Sequence, residues 1–195
     1  LDNRLITEFK GAEAVVEIYD DVVIKRRLQK GYRVRELDLK LRKERTRSEA
    51  KIQSDARKAG VPTPIIYDIE TFSIVMERIQ GSALKFILNE KICEKAGETL
   101  CMLHLAGIAH GDPTTYNMIY SENRVYLIDF GLAYYDGSLE ARGVDLHVFF
   151  QTLASTHEKF EPLKDAFILG YGKRCLDVNE VLDKVEEIKE RGRYL

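Results

Sequence analysis

The run His110-Gly111-Asp112-Pro113-Thr114-Thr115-Tyr116-Asn117, followed twelve residues later by Asp129-Phe130-Gly131, constrains this chain more than any other feature. Asp112 and Asn117 flank a tight loop, so a carboxylate and an amide oxygen can point to one side. Asp129 ends an apolar stretch, Val125–Phe130, that opens into Gly131 and brings a second carboxylate to the same mouth. A donor set made only of oxygens suits hard Mg²⁺, with phosphate completing its shell. No His or Cys set stands at the spacing a softer metal needs, and His147 and His157 lack such partners. Taken alone, Asp-Phe-Gly reads as a chance tripeptide at a strand end. The upstream loop, in that order and at that distance, makes the two a unit.

The elements around this unit place it. Val15–Tyr19 and Val22–Arg26 read as a hairpin about Asp20-Asp21. A helix follows over about 37–59, stopped by Gly60 and Pro62. Short strands are predicted near 65–69 and 73–76. Past Gly81, Ser82 is expected to cap a short helix, and a longer one spans about 91–106, with Ile92, Ala96, Leu100 and Leu103 at helical spacing. Strands near 118–120 and 125–130 then lead into a helical remainder from about 140. A β-rich lobe followed by a helical one leaves a cleft near 77–81, a favoured place for a ligand.

Composition narrows the class. The 195 residues fit one domain or two small lobes, and 45% apolar content excludes a disordered chain. No apolar run approaches the roughly 20 residues of a membrane span, and Leu1-Asp2-Asn3-Arg4 has no signal-peptide pattern. Opening on Leu1 rather than Met is consistent with a segment of a longer chain. The 32% charged content hints at a hot environment. Cys93, Cys101 and Cys175 are too few and too far apart for a disulfide framework or zinc cluster. Cys93 and Cys101 read as core or boundary thiols, and the setting as reduced and cytoplasmic. Residues 22–58 hold 14 Lys and Arg against 5 Asp and Glu, although the net charge is only −2. That segment reads either as a solvated basic helix or as a face for phosphates and nucleic acid.

His-Gly-Asp-x4-Asn with Asp-Phe-Gly resembles the catalytic loop and metal-binding turn of the protein-kinase superfamily. The resemblance implies a lysine on a first-lobe strand, which Lys25 fits, and a glutamate on the next helix to orient it. Glu49, Ile52, Ala56 and Ala59 share one helical face, so Glu49 is expected to face inward and pair with Lys25; the alternative is a surface glutamate on a charged helix. Lys10-Gly11-Ala12-Glu13-Ala14, Lys25-Arg26-Arg27, Lys30-Gly31-Tyr32-Arg33, Arg45–Ala50 and Gly143-Val144-Asp145-Leu146 are more specific. With the loop, they resemble the small atypical kinases of the PRPK family, the kinase-like subunit of the KEOPS complex. The implied fold is α+β, a minimal bilobal protein-kinase-like fold. It has a β-rich N-lobe with one long helix (1–78), a reduced helical C-lobe (79–195), and no full activation segment.

The resemblance further implies ATP and Mg²⁺ as cofactors. Asp112 would be the catalytic residue, and Asn117 and Asp129 the metal ligands. Gly11, Ala12, Glu13, Ala14, Lys25, Glu49, Glu77 and Ile79 would lie around the nucleotide, with His110 and Asp145 supporting the loop. Asp145 is otherwise readable as a helix cap. The partners implied are a TsaD-type threonylcarbamoyl transferase subunit, in some archaea fused ahead of the kinase domain, and a small KEOPS subunit on the N-lobe. The third is tRNA, contacted by Arg26, Arg27, Lys30, Arg33 and Arg35 and by the tail residues Arg191 and Arg193. Family members act as ATPases and serine kinases and support threonylcarbamoyladenosine formation in tRNA. The chain departs from ordinary kinases in keeping one glycine, Gly11, in the phosphate lid, and in having Thr114 where they carry a lysine. Only 16 positions separate Asp129 from Asp145, with no Ala-Pro-Glu, leaving little room to dock a peptide. A small-molecule phosphotransferase and a non-catalytic kinase-shaped scaffold are the alternative readings.

Overall fold

The computed structural model describes residues 4–192, so Arg193, expected at the RNA-facing tail, lies outside the described residues. Five antiparallel strands form the first layer in the order β1-β2-β3-β5-β4. They are β1 (Leu5–Lys10), β2 (Ala14–Tyr19), β3 (Val22–Arg27), β4 (Ile66–Ile69) and β5 (Ser73–Glu77). The β2–β3 hairpin forms with Val16 opposite Lys25. Sequence reading did not foresee β1: it is an edge strand with Leu5, Ile6 and Phe9 exposed, so no buried face imprints a clear alternation.

Helix α1 (Arg35–Lys58) is too charged to be held by its own apolar stripe. It is seated on the sheet by a narrow line of buried residues that includes Thr46, Glu49, Ala50, Gln53 and Ala56. Ala50 packs with Ile74 and Met76 beneath the strands. The helix ends at Gly60, whose φ of +91° is the left-handed conformation that suits glycine after a helix.

The second layer is mostly helical. It contains β6 (Ser82–Ala83), α2 (Leu84–Ile87), α3 (Glu90–Leu105), β7 (Ile108–Ala109), β8 (Met118–Ser121), β9 (Arg124–Leu127), β10 (Tyr134–Tyr135), α4 (Leu139–Thr156), α5 (Phe160–Gly172) and α6 (Val178–Gly192). Ser82 was expected to cap a helix; it lies in β6 opposite Tyr120 instead, and α2 has no side-chain cap. Pairing with β8 outcompetes the capping role. Asn89 caps α3 by accepting from the Ile92 amide, and Ser138 caps α4 by accepting from that of Ala141. Helices α3 and α5 touch backbone to backbone: a Cβ on Gly97 would lie 2.1 Å from the Phe167 carbonyl oxygen, and one on Gly170 1.8 Å from that of Glu94.

One cysteine expectation is overturned. Cys101 on α3 and Cys175 after α5 form a disulfide across 74 residues, and only Cys93 is free. The reduced-thiol reading followed from sequence distance, whereas the packing of α3 on α5 brings the two sulfurs together. Among the described residues no helix is long and apolar enough to cross a membrane.

Candidate active site

Between the sheet and the helical layer lies a cavity of about 640 Å³. Strand β3 alternates, so Lys25 and Arg27 share its inner face while Arg26 points outward. Glu49, on the inward line of α1, meets both. Its Oε1 accepts from Lys25 Nζ at 2.6 Å and its Oε2 from Arg27. Lys25 also donates to Asp129 Oδ1 at 2.6 Å. Burial pushes the Lys25 ammonium down, but the carboxylates of Glu49 and Asp129 outweigh it and hold it above the ordinary lysine range. Burial pushes Asp129 up; Lys25 overrides that and holds it below the usual carboxylate value.

Asp129 reaches this position with φ +60°, a left-handed conformation rare outside glycine and typical of functional sites. Its Oδ1 is taken by Lys25 and by the Gly131 amide. Asn117 donates through Nδ2 to Asp112 Oδ2 at 2.9 Å, which turns its own oxygen the other way. Among the described residues no hydrogen bond uses Asp129 Oδ2 or Asn117 Oδ1. Two oxygens without protein partners beside a cavity of this size, roomy enough for a nucleotide with its phosphates, fit Mg²⁺.

The loop carrying Asp112 is held from behind. Asp145 sits inside α4, fully buried, and accepts from the amides of His110 (2.6 Å) and Gly111 (2.9 Å). It is therefore not a helix cap. His104 on α3 adds a third bond, Nε2 to Asp145 Oδ2 at 3.0 Å. His110 donates from Nε2 to the Ile128 carbonyl, tying the loop to the strand that leads to Asp129. Gly111 adopts φ +78°, and a Cβ there would meet the Leu132 carbonyl oxygen at 2.4 Å, so no other residue fits.

Glu77 and Ile79 line the cavity with Lys25, Glu49, Asn117 and Asp129. Gly11, Ala12 and Glu13 form the β1–β2 turn and Ala14 opens β2, all outside that lining: the Gly11 amide donates to the Ala14 carbonyl, and Glu13 is drawn towards Arg45. Sequence reading missed the apolar roof, Ile6 and Phe9 of β1 with Val16 and Ile18 of β2. Arg27 is corrected. It was assigned to an RNA surface, yet it is 6% exposed and its charge is spent on Glu49. The two-residue spacing from Lys25 on a strand was the available signal. Of the other basic candidates, Arg26 and Arg35 are exposed, Arg33 pairs with Glu13 and Asp38, Lys30 reaches the Ala12 carbonyl, and Arg191 pairs with Glu140.

An antiparallel sheet crossed by one long helix, over a helical layer with a lysine–glutamate pair at the junction, defines a protein-kinase-like fold. The solved structure of Rio2 kinase from Chaetomium thermophilum, in an ADP/Mg²⁺-phosphoaspartate complex, shares that fold. Its TM-score is 0.61 at 13% identity, covering all of this chain and 73% of that one. The RIO domain family matches residues 11–140, and the chain belongs to it. A relative in Methanosarcina mazei, named a probable bifunctional tRNA threonylcarbamoyladenosine biosynthesis protein, is 51% identical over 94% of this chain; the chain spans only 35% of its length. The KEOPS complex subunit Bud32 of Pyrococcus abyssi is 44% identical over 95% of this chain and 94% of its own.

Proposed function

We propose that the chain is a Mg-ATP-dependent atypical serine/threonine kinase and ATPase that supports threonylcarbamoyladenosine modification of tRNA within a KEOPS-type complex. The observation that carries this reading is the convergence of Lys25, Glu49, Asn117 and Asp129 on one cavity, with Asp112 bonded to Asn117 at its edge. The names of the Methanosarcina and Pyrococcus relatives supply its biological setting.

In this reading adenine lies under Ile6 and Phe9 and meets the backbone of Glu77 and Ile79. Lys25 turns from Asp129 to the α- and β-phosphates while Glu49, itself clamped by Arg27, holds it in place. The Gly11–Ala14 turn closes over the phosphates as a loose lid. Asn117 and Asp129 would hold the cation, which when bound would neutralise phosphate charge. Asp112 accepts the proton of the attacking hydroxyl or water, and Asn117 keeps its carboxylate aimed. The stretch between Phe130 and the Ser138 cap is too short to dock a peptide, so water or a hydroxyl presented by a partner is the acceptor. The division at 78/79 into two lobes and a cytoplasmic setting belong to the same reading. So do a TsaD-type partner, a small KEOPS subunit on the first lobe, and tRNA.

ATP consumption by the pure chain, with and without a TsaD-type partner and with and without tRNA, tests it. Hydrolysis stimulated by partner or tRNA supports it. Turnover seen only with a small alcohol, or ATP binding without turnover under every condition, refutes it.

A further inference from the structure

Behind Asp145 runs a line of buried polar side chains that the chemistry above does not use. Tyr171 on α5 has its hydroxyl 2.7 Å from His104 Nδ1 and 3.0 Å from Arg142 Nε. The other two nitrogens of Arg142, on α4, each donate to Asp177 at 2.7 Å, in the turn between α5 and α6. Tyr171 and Asp145 are fully buried, and His104 and Arg142 nearly so.

The directions of these bonds are forced. The Asp145 carboxylate only accepts, so a neutral His104 carries its proton on Nε2 and leaves Nδ1 an acceptor; a guanidinium only donates, so the Tyr171 oxygen accepts from Arg142 Nε and gives its own proton to Nδ1. Burial pushes the phenol up to about 12, which keeps that proton in place. Nε2 donates to Asp145 Oδ2. Without the hydroxyl, His104 Nδ1 would be a buried acceptor with no donor. In the opposite tautomer the lone pair of Nε2 would face the Asp145 carboxylate.

We propose that Tyr171, held by Arg142 and Asp177, is a positioning residue for the catalytic loop: it anchors the His104 ring through Nδ1, and through Asp145 the backbone of His110 and Gly111 that sets Asp112. The proposal rests on Asp112 being the proton acceptor. It makes loop geometry depend on the seat of the α5–α6 turn. The Cys101–Cys175 disulfide ties that same turn to α3, one helical turn before His104.

Tyr171→Phe removes one oxygen and keeps the ring between Phe167 and His104. In the full chain we expect kcat for ATP turnover to fall about tenfold or more with the ATP KM unchanged within about twofold. Asp177→Asn should add little to it, because both act through one bridge. Imidazole ¹⁵N spectra should show His104 protonated at Nε2 in both proteins, with the Nδ1 resonance moving to the position of an acceptor without a donor in Tyr171→Phe. An unaltered Nδ1 resonance or an unaltered kcat in Tyr171→Phe overturns the proposal, as does a further independent loss from Asp177→Asn. Asp112→Asn, measured in parallel, separates the two levels. If it turns over like the wild type, the role given to Asp112 fails and the proposal with it; if it is inactive while Tyr171→Phe is normal, only the positioning role fails.

Discussion

At the scale of single residues, Glu49 holds two cations with its two oxygens. Removing that charge leaves Lys25 and Arg27 buried side by side without it, and breaking a buried pair of this kind costs on the order of 3–5 kcal/mol. Glu49→Gln should therefore lower the urea midpoint markedly as well as ATP turnover. Lys25→Ala and Asp129→Ala should each cut turnover at least about tenfold, on the order of 1.4 kcal/mol or more, and steady-state ATP hydrolysis measures both. The buried histidines predict a pH effect. Burial holds His104 and His110 below the ordinary imidazole value, so the unfolded chain binds more protons than the folded one as the solution is acidified. Stability should be fully present above about pH 6.5 and decline as pH falls below it. Melting temperatures that stay flat from pH 7.5 to 5 would contradict this. Lys25 was legible through the resemblance, which requires a strand lysine, and the inward face of Glu49 through helical periodicity. Arg27 was misread because basic residues on a basic segment look alike until the pleat assigns them to opposite faces.

At the scale of elements, helices α3 and α5 approach so closely that glycine at 97 and 170 leaves no room for a methyl group. Gly97→Ala should separate them and destabilise the fold by about 1–3 kcal/mol or more, an overpacking cost that thermal melting would register. The disulfide joins the same two regions and closes a long loop, for which the chain-entropy estimate is roughly 4 kcal/mol. Cys101→Ser should lose much of that under oxidising conditions and little under reducing ones. Helical spacing made α3 easy to read, whereas α4, α5 and α6 were read only as one helical remainder from about 140. Edge strand β1 was hidden by its exposure, and the disulfide by a sequence separation of 74 residues.

At the scale of the whole molecule, the charge excess of residues 22–58 divides into two populations. Arg27 and Arg33 are tied into the fold through Glu49, Glu13 and Asp38, whereas Arg35 is exposed and Arg26 is exposed with one long ion pair to Glu17 at 3.8 Å. If tRNA binds this face, replacing Arg26 or Arg35 by Ala should each lower the log–log salt slope of binding by about 1. Arg27→Ala should act on folding stability instead. A flat dependence of tRNA affinity on salt would remove phosphates as the partner of this surface.

The sequence by itself determined the chemistry available: which side chains carry oxygen ligands, that Glu49 lies on an apolar helical face, and in what order they occur along the chain. These follow from local periodicity and motif spacing, which depend on neighbours a few residues away. Only the tertiary structure decided which groups share a partner. Glu49 bridges Lys25 and Arg27, Asp145 is a brace rather than a cap, Cys101 meets Cys175, and Tyr171 stands between Arg142 and His104. Such contacts depend on how the sheet, α3, α4 and α5 pack against one another, and close packing acts between residues whose distance along the chain carries no trace of it.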